Sequence, residues 1–249
     1  MELGLKDKVV IITGGGGDIG RTIALAFAKE GARLVISDLD LAAATRVAEL
    51  VGNEERALAV RTNVTDPESV QALFDTAVAR FGQVDVLING AGIFHGIPIP
   101  DLTVQQWDSL MAVNLKGVFL CAQAALTVMK PRRYGKIINI ASMGGQVGGI
   151  VAGADYSASK AGVACFTKSL AKYAGPFGIN VNTVNPGVIE TQMTRPWGED
   201  TLQKRRDETP LRRNGTPDDV APPIVFLASD LAGFIQGAHI DINGGIYTD

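Results

Sequence analysis

Tyr156 and Lys160 stand four residues apart in the run Tyr156-Ser157-Ala158-Ser159-Lys160. On a helix that spacing puts both side chains on one face, a turn apart. A phenol ordinarily keeps its proton to about pH 10, and a neighbouring ammonium favours the phenolate and lowers that value. A tyrosine tuned in this way can pass a proton to or from an alcohol near neutral pH. The same spacing also arises where a solvated lysine flanks a half-buried tyrosine, so the surrounding elements decide what the pair can do.

Those elements alternate along the chain. Lys8–Thr13 is a continuous β-branched apolar run, the pattern of a strand buried on both faces of a parallel sheet. Gly14 to Gly17 follow, then Asp18-Ile19-Gly20 and a helical pattern ending at Gly31. Leu34–Asp38 is a second strand, completing a strand–glycine loop–helix–strand unit. Such glycines let the backbone approach a pyrophosphate, which the following helix N-terminus attracts. Asp38, at the tip of the second strand, can accept both ribose hydroxyls of an adenosine and would repel a 2′-phosphate. No Arg or Lys lies in the loop or just after Asp38, so NAD (NADH) is expected rather than NADP.

Further strands are predicted at 56–61, 85–88, 136–140, 179–184 and 238–242. Asp66-Pro67, Thr103 and Thr216-Pro217 read as helix starts between them. One helix runs from Thr103 through Asn114 to about Met129, where Pro131 stops it. Seven strands alternating with six helices predict an α/β fold, a Rossmann-like doubly wound parallel sheet flanked by helices. Residues 188–210 lack a steady period and read as a lid over a site. Nothing in the middle reads as a linker, so residues 1–249 are expected to form one dinucleotide-binding catalytic domain.

The chain has 249 residues, 46% hydrophobic and 20% charged, with a net charge of −3. Its charges are interspersed without a basic stripe, which argues against nucleic acid and anionic membranes as partners. Cys121 and Cys165 fall in apolar helical patterns and read as small buried hydrophobes. Two cysteines and two histidines, widely scattered, give no metal set. Residues 1–7 lack a signal-peptide core and no apolar run approaches membrane-spanning length. A soluble cytoplasmic protein is therefore expected.

Taken in order, Thr13-Gly14 with Ile19-Gly20, Asn89 with Ala91-Gly92, Asn114, Ser142, Tyr156 with Lys160, and Pro186-Gly187 resemble the motifs of the short-chain dehydrogenase/reductase family. The resemblance covers nearly the whole chain. It implies a catalytic tetrad of Asn114, Ser142, Tyr156 and Lys160. It further implies a cofactor site formed by Gly14, Gly17, Asp18, Ile19, Gly20, Asp38, Asn63, Val64, Asn89, Ala91, Gly92, Tyr156, Lys160, Pro186, Gly187, Val188 and Thr191, with Thr191 near the nicotinamide carboxamide. A homotetramer is implied as well. The sequence departs from the family pattern where Asp18 replaces the central glycine of the loop, Gly90 replaces an asparagine, and Asn63 replaces an aspartate beside the adenine. The Ser142-to-Tyr156 interval is also one residue longer than is commonest.

The expected chemistry is hydride transfer between NAD(H) and a secondary alcohol or ketone. Ser142 would hydrogen-bond the substrate oxygen, Tyr156 would move the proton, Lys160 would hold the Tyr156 pKa down, and Asn114 would hold a water leading from Lys160 to solvent. Ile93, Phe94, Val147 and Val188 are expected to line the pocket together with His95, Met143, Gln146 and Trp197, the expected substrate contacts, in a pocket suited to a small-to-medium alcohol, polyol or ketone. A 3-oxoacyl-carrier-protein reductase is the alternative, since Thr209-Pro210-Leu211-Arg212-Arg213 and the residues after Pro186 resemble that branch. A non-catalytic nucleotide-binding protein is a third reading, which an intact tetrad opposes.

Overall fold

A computed structural model describes residues 2–53, 55–149 and 153–248. Its elements are β1 (Val9–Thr13), α1 (Asp18–Lys29), β2 (Arg33–Asp38), α2 (Leu41–Val51), β3 (Ala57–Arg61), α3 (Pro67–Phe81), β4 (Val86–Asn89), α4 (Val104–Met111), α5 (Gly117–Met129), β5 (Gly135–Ile140), α6 (Gly144–Val147), α7 (Ala154–Ala174), β6 (Ile179–Pro186), α8 (Glu199–Glu208), α9 (Pro217–Ala228) and β7 (His239–Ile242). The seven strands form one parallel sheet in the order β3-β2-β1-β4-β5-β6-β7. It is the Rossmann-like arrangement expected, and each strand boundary falls within two residues of its predicted position.

The period of two in the strands explains the layers. Val10 and Ile12 of β1 face Ile23 and Phe27 of α1 and Ile224 of α9 on one side. Val9 and Ile11 join Leu73 and Phe74 of α3, Cys121 of α5 and Leu170 of α7 on the other. With both faces covered, the strands carry continuous apolar runs. The chain order reverses between β1 and β4, whose last residues Thr13 and Asn89 are paired. The carboxyl ends of these two strands therefore open a crevice, the place where open parallel sheets bind ligands.

The predicted helix starts are as expected. Asp66 caps α3 through the Glu68 N–H, Thr103 forms a capping box with Gln106, and Thr216 forms one with Asp219. Several expectations fail for physical reasons. The helix through Asn114 is not uniform: residues Ala112–Lys116 form a π-helical turn between α4 and α5. A π-bulge re-aims one side chain inward and is frequent at functional sites. There are nine α-helices among the described residues instead of six. The segment 188–210 is not irregular throughout, because α8 lies inside it. This helix is polar except for the buried Leu202 and shows no apolar period to find; the Arg206–Glu190 ion pair, 2.9 Å, ties it to the loop after β6.

Cys121 is buried as expected, but Cys165 is exposed, on the face of α7 turned from the sheet. The continuous helix Val104–Met129 also has the length and hydropathy to cross a membrane, which corrects the expectation of no such run. Here part of that apolar surface packs on β4, β5, α3 and α7. The stretch that absorbs the extra residue between Ser142 and Tyr156 includes residues 150–152, which lie outside the described residues.

Candidate active site

The crevice holds two adjoining clefts. The first, 370 Å³, is lined by Gly14, Gly16, Gly17, Asp18, Ile19, Gly20, Asp38, Asn63, Val64, Ala91, Gly92 and Thr191, among others. Its floor is backbone brought close to backbone. A Cβ on Gly14, whose φ is +67°, would lie 2.8 Å from the Cα of Ala91. A Cβ on Gly20 would lie within contact distance of the Gly14 carbonyl. Neither position tolerates a side chain, so the loop and the start of α1 stay open to a phosphate group. Asp38 closes the far end: Oδ2 accepts the Gly16 N–H at 3.0 Å and Oδ1 accepts the Asp40 N–H at 3.1 Å. The carboxylate is thereby fixed at the tip of β2 and keeps lone pairs for a diol. Asn63 is turned partly inward on itself, its Oδ1 accepting from the Thr65 hydroxyl at 2.8 Å. A cradle without side chains and a fixed carboxylate at the ribose end fit an adenine dinucleotide.

The second cleft, 290 Å³, shares Ile19, Gly90, Gly92, Thr191 and Met193 with the first. Ser142, Met143, Tyr156, Lys160, Pro186, Gly187, Val188 and Trp197 line it. Ser142 comes from the end of β5, and its Oγ accepts the Gly144 N–H at 3.1 Å. The Ser142 hydroxyl beside the Tyr156 phenol favours the phenolate, but burial dominates and pushes the phenol above its ordinary pKa. Burial also pulls the Lys160 ammonium down to about 8. Lys160 Nζ lies 5.6 Å from the Tyr156 ring centre and donates to the Ile140 carbonyl at 2.7 Å. The lowered tyrosine pKa expected from the sequence is therefore not found: desolvation outweighs the neighbouring Ser142, and Lys160 is turned to the Ile140 carbonyl.

Asn114 lies behind both clefts and is fully buried. The π-turn aims its amide at Ile93. The Ile93 N–H donates to Oδ1 at 2.8 Å, while Nδ2 donates to the Ile93 carbonyl at 3.0 Å and to Ser159 Oγ at 3.2 Å. It clamps the chain leaving β4 onto α7. Its Oδ1 and Lys160 Nζ both border Gly92, at 3.4 and 3.7 Å from where a Cβ would stand.

Three expected contacts are elsewhere. Asn89 points away from the crevice, its Nδ2 donating to Asn139 Oδ1 at 2.8 Å, because alternate residues of β4 face opposite sides of the sheet. Gln146 does not line the substrate cleft; its Nε2 donates to Asp241 at 3.0 Å. His95 is also outside that cleft, with Nδ1 3.2 Å from Asp155 Oδ2. Phe94, expected in the pocket, forms the wall, edge-on to Tyr156 at 5.5 Å between ring centres and 5.8 Å from Trp197.

Sequence and structural comparisons agree with this geometry. The family described as enoyl-(acyl carrier protein) reductase matches residues 16–247. An uncharacterized oxidoreductase of Mycobacterium bovis is 39% identical, over 97% of both chains. The chain belongs to the short-chain dehydrogenase/reductase family. A 3-oxoacyl-[acyl-carrier-protein] reductase of Aquifex aeolicus is 38% identical over 99% of this chain and all of its own. Among solved structures, a short-chain dehydrogenase/reductase described as a glucose/ribitol dehydrogenase, from Brucella melitensis, superposes with a TM-score of 0.95 at 33% identity, covering both chains completely.

Sequence reasoning about this short-chain dehydrogenase/reductase missed Asp155 and Arg205. Asp155 is fully buried and its Oδ1 accepts the Tyr156 N–H at 2.8 Å; an acid in the first turn of a helix is the signal that marks it. Arg205 borders the substrate cleft from α8 but is paired with Glu208 at 2.6 Å. Finding it required recognising a helix that has no apolar face.

Proposed function

We propose that this oxidoreductase transfers a hydride between NAD(H) and a small-to-medium secondary alcohol, polyol or ketone. The observation that carries the reading is that Ser142, Tyr156 and Lys160 line one cleft, which adjoins the glycine cradle. The nicotinamide, when bound, supplies or accepts the hydride. Ser142 donates to the substrate oxygen, where charge develops. Tyr156 gives its proton to that oxygen in reduction and takes it in oxidation. Lys160, buried beneath Tyr156, supplies positive charge to the phenolate and is the next proton donor. Asn114 holds the Ile93 peptide, and with it the cleft wall that bears Phe94.

Asp38 supports NAD over NADP, since its fixed carboxylate would repel a 2′-phosphate. The aromatic wall of Phe94 and Trp197, with the paired Arg205, suits an uncharged substrate better than a carboxylate or phosphate. Residues 1–249 act in this reading as one catalytic domain, with 188–210 as the lid. A cytoplasmic homotetramer is part of it too, supported by exposed apolar residues on α5 and α7 (Phe119, 44% exposed, and Tyr173, 54%) and by the fully exposed Phe234.

A second reading, reduction of a 3-oxoacyl group on a carrier protein, is favoured by relatives of that name and opposed by Asp38. A panel of ketones and a 3-oxoacyl thioester assayed with NADH and NADPH, together with secondary alcohols and polyols assayed with NAD+ and NADP+, separates the two. A small ketone turned over at least ~10-fold more efficiently with NADH than with NADPH, or a small alcohol with NAD+ than with NADP+, supports the proposal. Thioester reduction with a strong NADPH preference overturns it in favour of the second reading.

A further inference from the structure

Asp18 occupies the loop position that the family usually gives to glycine, and the structure gives it a partner. Gly17 is the N-cap residue of α1 and makes no side-chain cap, and Asp18 does not cap the helix either. Its Oδ2 instead accepts the backbone N–H of Gln192 at 2.7 Å, across 174 residues of sequence. That distance is at the short end for a charge-assisted bond. Among the described residues this is the hydrogen bond that joins segment 188–210 to the glycine loop and α1. The other ties of the segment lead to the opposite side, with Glu190 N–H donating to the Gly215 carbonyl at 2.9 Å and Asn214 Nδ2 donating to Glu190 at 3.0 Å. The base of the segment is stiffened from within: the Thr194 hydroxyl, buried, donates to the Ile189 carbonyl at 2.9 Å and accepts the Thr191 N–H at 3.0 Å. A rigid turn is thus hinged at Gly215 and fastened at its free end by one carboxylate. Asp18, Thr191 and Gln192 all border the first cleft, so the fastening bridges its mouth.

We propose that Asp18 is a latch: a positioning residue that fastens the lid at Gln192 to the phosphate loop and so sets how fast the dinucleotide enters and leaves. The inference rests on the dinucleotide reading above for the cofactor, and on the Asp18–Gln192 bond alone for the latch. A carboxylate in this loop has two opposed effects. Its charge near a pyrophosphate weakens binding, and its hold on the lid slows release. Two substitutions separate them. Asp18→Gly removes charge and latch together and restores the residue common in the family, so the loop is expected to fold. Asp18→Asn removes the charge but keeps an oxygen that can accept the Gln192 N–H.

Hydrogen exchange of residues 189–200 in the cofactor-free protein, measured by mass spectrometry, reads the latch without any ligand. NADH release, followed by stopped-flow fluorescence, reads its consequence. Exchange about tenfold faster in D18G, with D18N within about threefold of wild type, is the expected result; NADH release about tenfold faster in D18G accompanies it. Unchanged lid exchange in D18G overturns the proposal. So does slower NADH release in both variants, the outcome if Asp18 acts by repulsion alone. Failure of the wild-type protein to bind NADH would overturn the dinucleotide reading and the release half of the proposal, while the exchange measurement still judges the latch.

Discussion

Tyr156→Phe is expected to lower kcat by at least ~10²-fold in either direction, the low end for a positioned acid–base group. The substitution removes one oxygen and leaves the ring. The edge contact with Phe94 at 5.5 Å is kept, so the cleft should keep its shape and KM should move little. What is lost is the proton that reaches the substrate oxygen. The pH dependence of the wild-type enzyme follows from the same group. Burial holds the Tyr156 phenol above its ordinary pKa. Oxidation consumes the phenolate, so its kcat/KM should climb as pH rises. Reduction consumes the phenol, so its rate should hold through neutral pH and fall only once the phenol ionises. Steady-state kinetics in both directions from pH 6 to 10 check both statements, oxidation rising across that range and reduction showing no fall within it. A phenylalanine variant within a few-fold of wild type would remove Tyr156 from the proton path.

The second large effect concerns the cofactor. Replacing Asp38 with Ala and the exposed Leu39 with Arg (D38A together with L39R) removes the carboxylate proposed to read the ribose and places a cation beside it. The ratio of kcat/KM for NADH to that for NADPH should fall by at least ~10²-fold. Discrimination by a group built to pair with a hydroxyl is commonly larger than that. Part of the loss will be general, because Asp38 Oδ2 also holds the Gly16 N–H at 3.0 Å. The ratio, unlike either rate alone, cancels that contribution. A ratio unchanged within threefold would show that Asp38 does not read the ribose.

The sheet was legible because its strands are apolar on both faces and its helices begin at Asp66, Thr103 and Thr216, residues whose capping chemistry is local. The clustering of Ser142, Tyr156 and Lys160 was legible too, since strand ends and helical spacing place those residues. Side-chain direction was not. Asn89 and Gln146 stand beside the crevice in sequence, yet their amides are drawn to Asn139 and Asp241. His95 is drawn to Asp155, 60 residues away. Such partners depend on tertiary packing that no local pattern encodes. The π-turn at Asn114 costs regular hydrogen bonding and is recovered by the Ile93 clamp, a contact also set in three dimensions. Asp18 read from sequence as a departure from the family's central glycine; only the fold reveals Gln192 as its partner.

The central claim is that the carbon of the substrate alcohol or ketone exchanges a hydride directly with the nicotinamide above the Ser142–Tyr156 pair. Its most direct test uses NADH deuterated at C4, prepared separately in each face, with a ketone that the enzyme reduces. Mass spectrometry and NMR of the product should show one deuterium at the carbinol carbon from one of the two labelled faces and none from the other. Product formed without label from either face, or label lost to water, would contradict direct transfer and the account built on it.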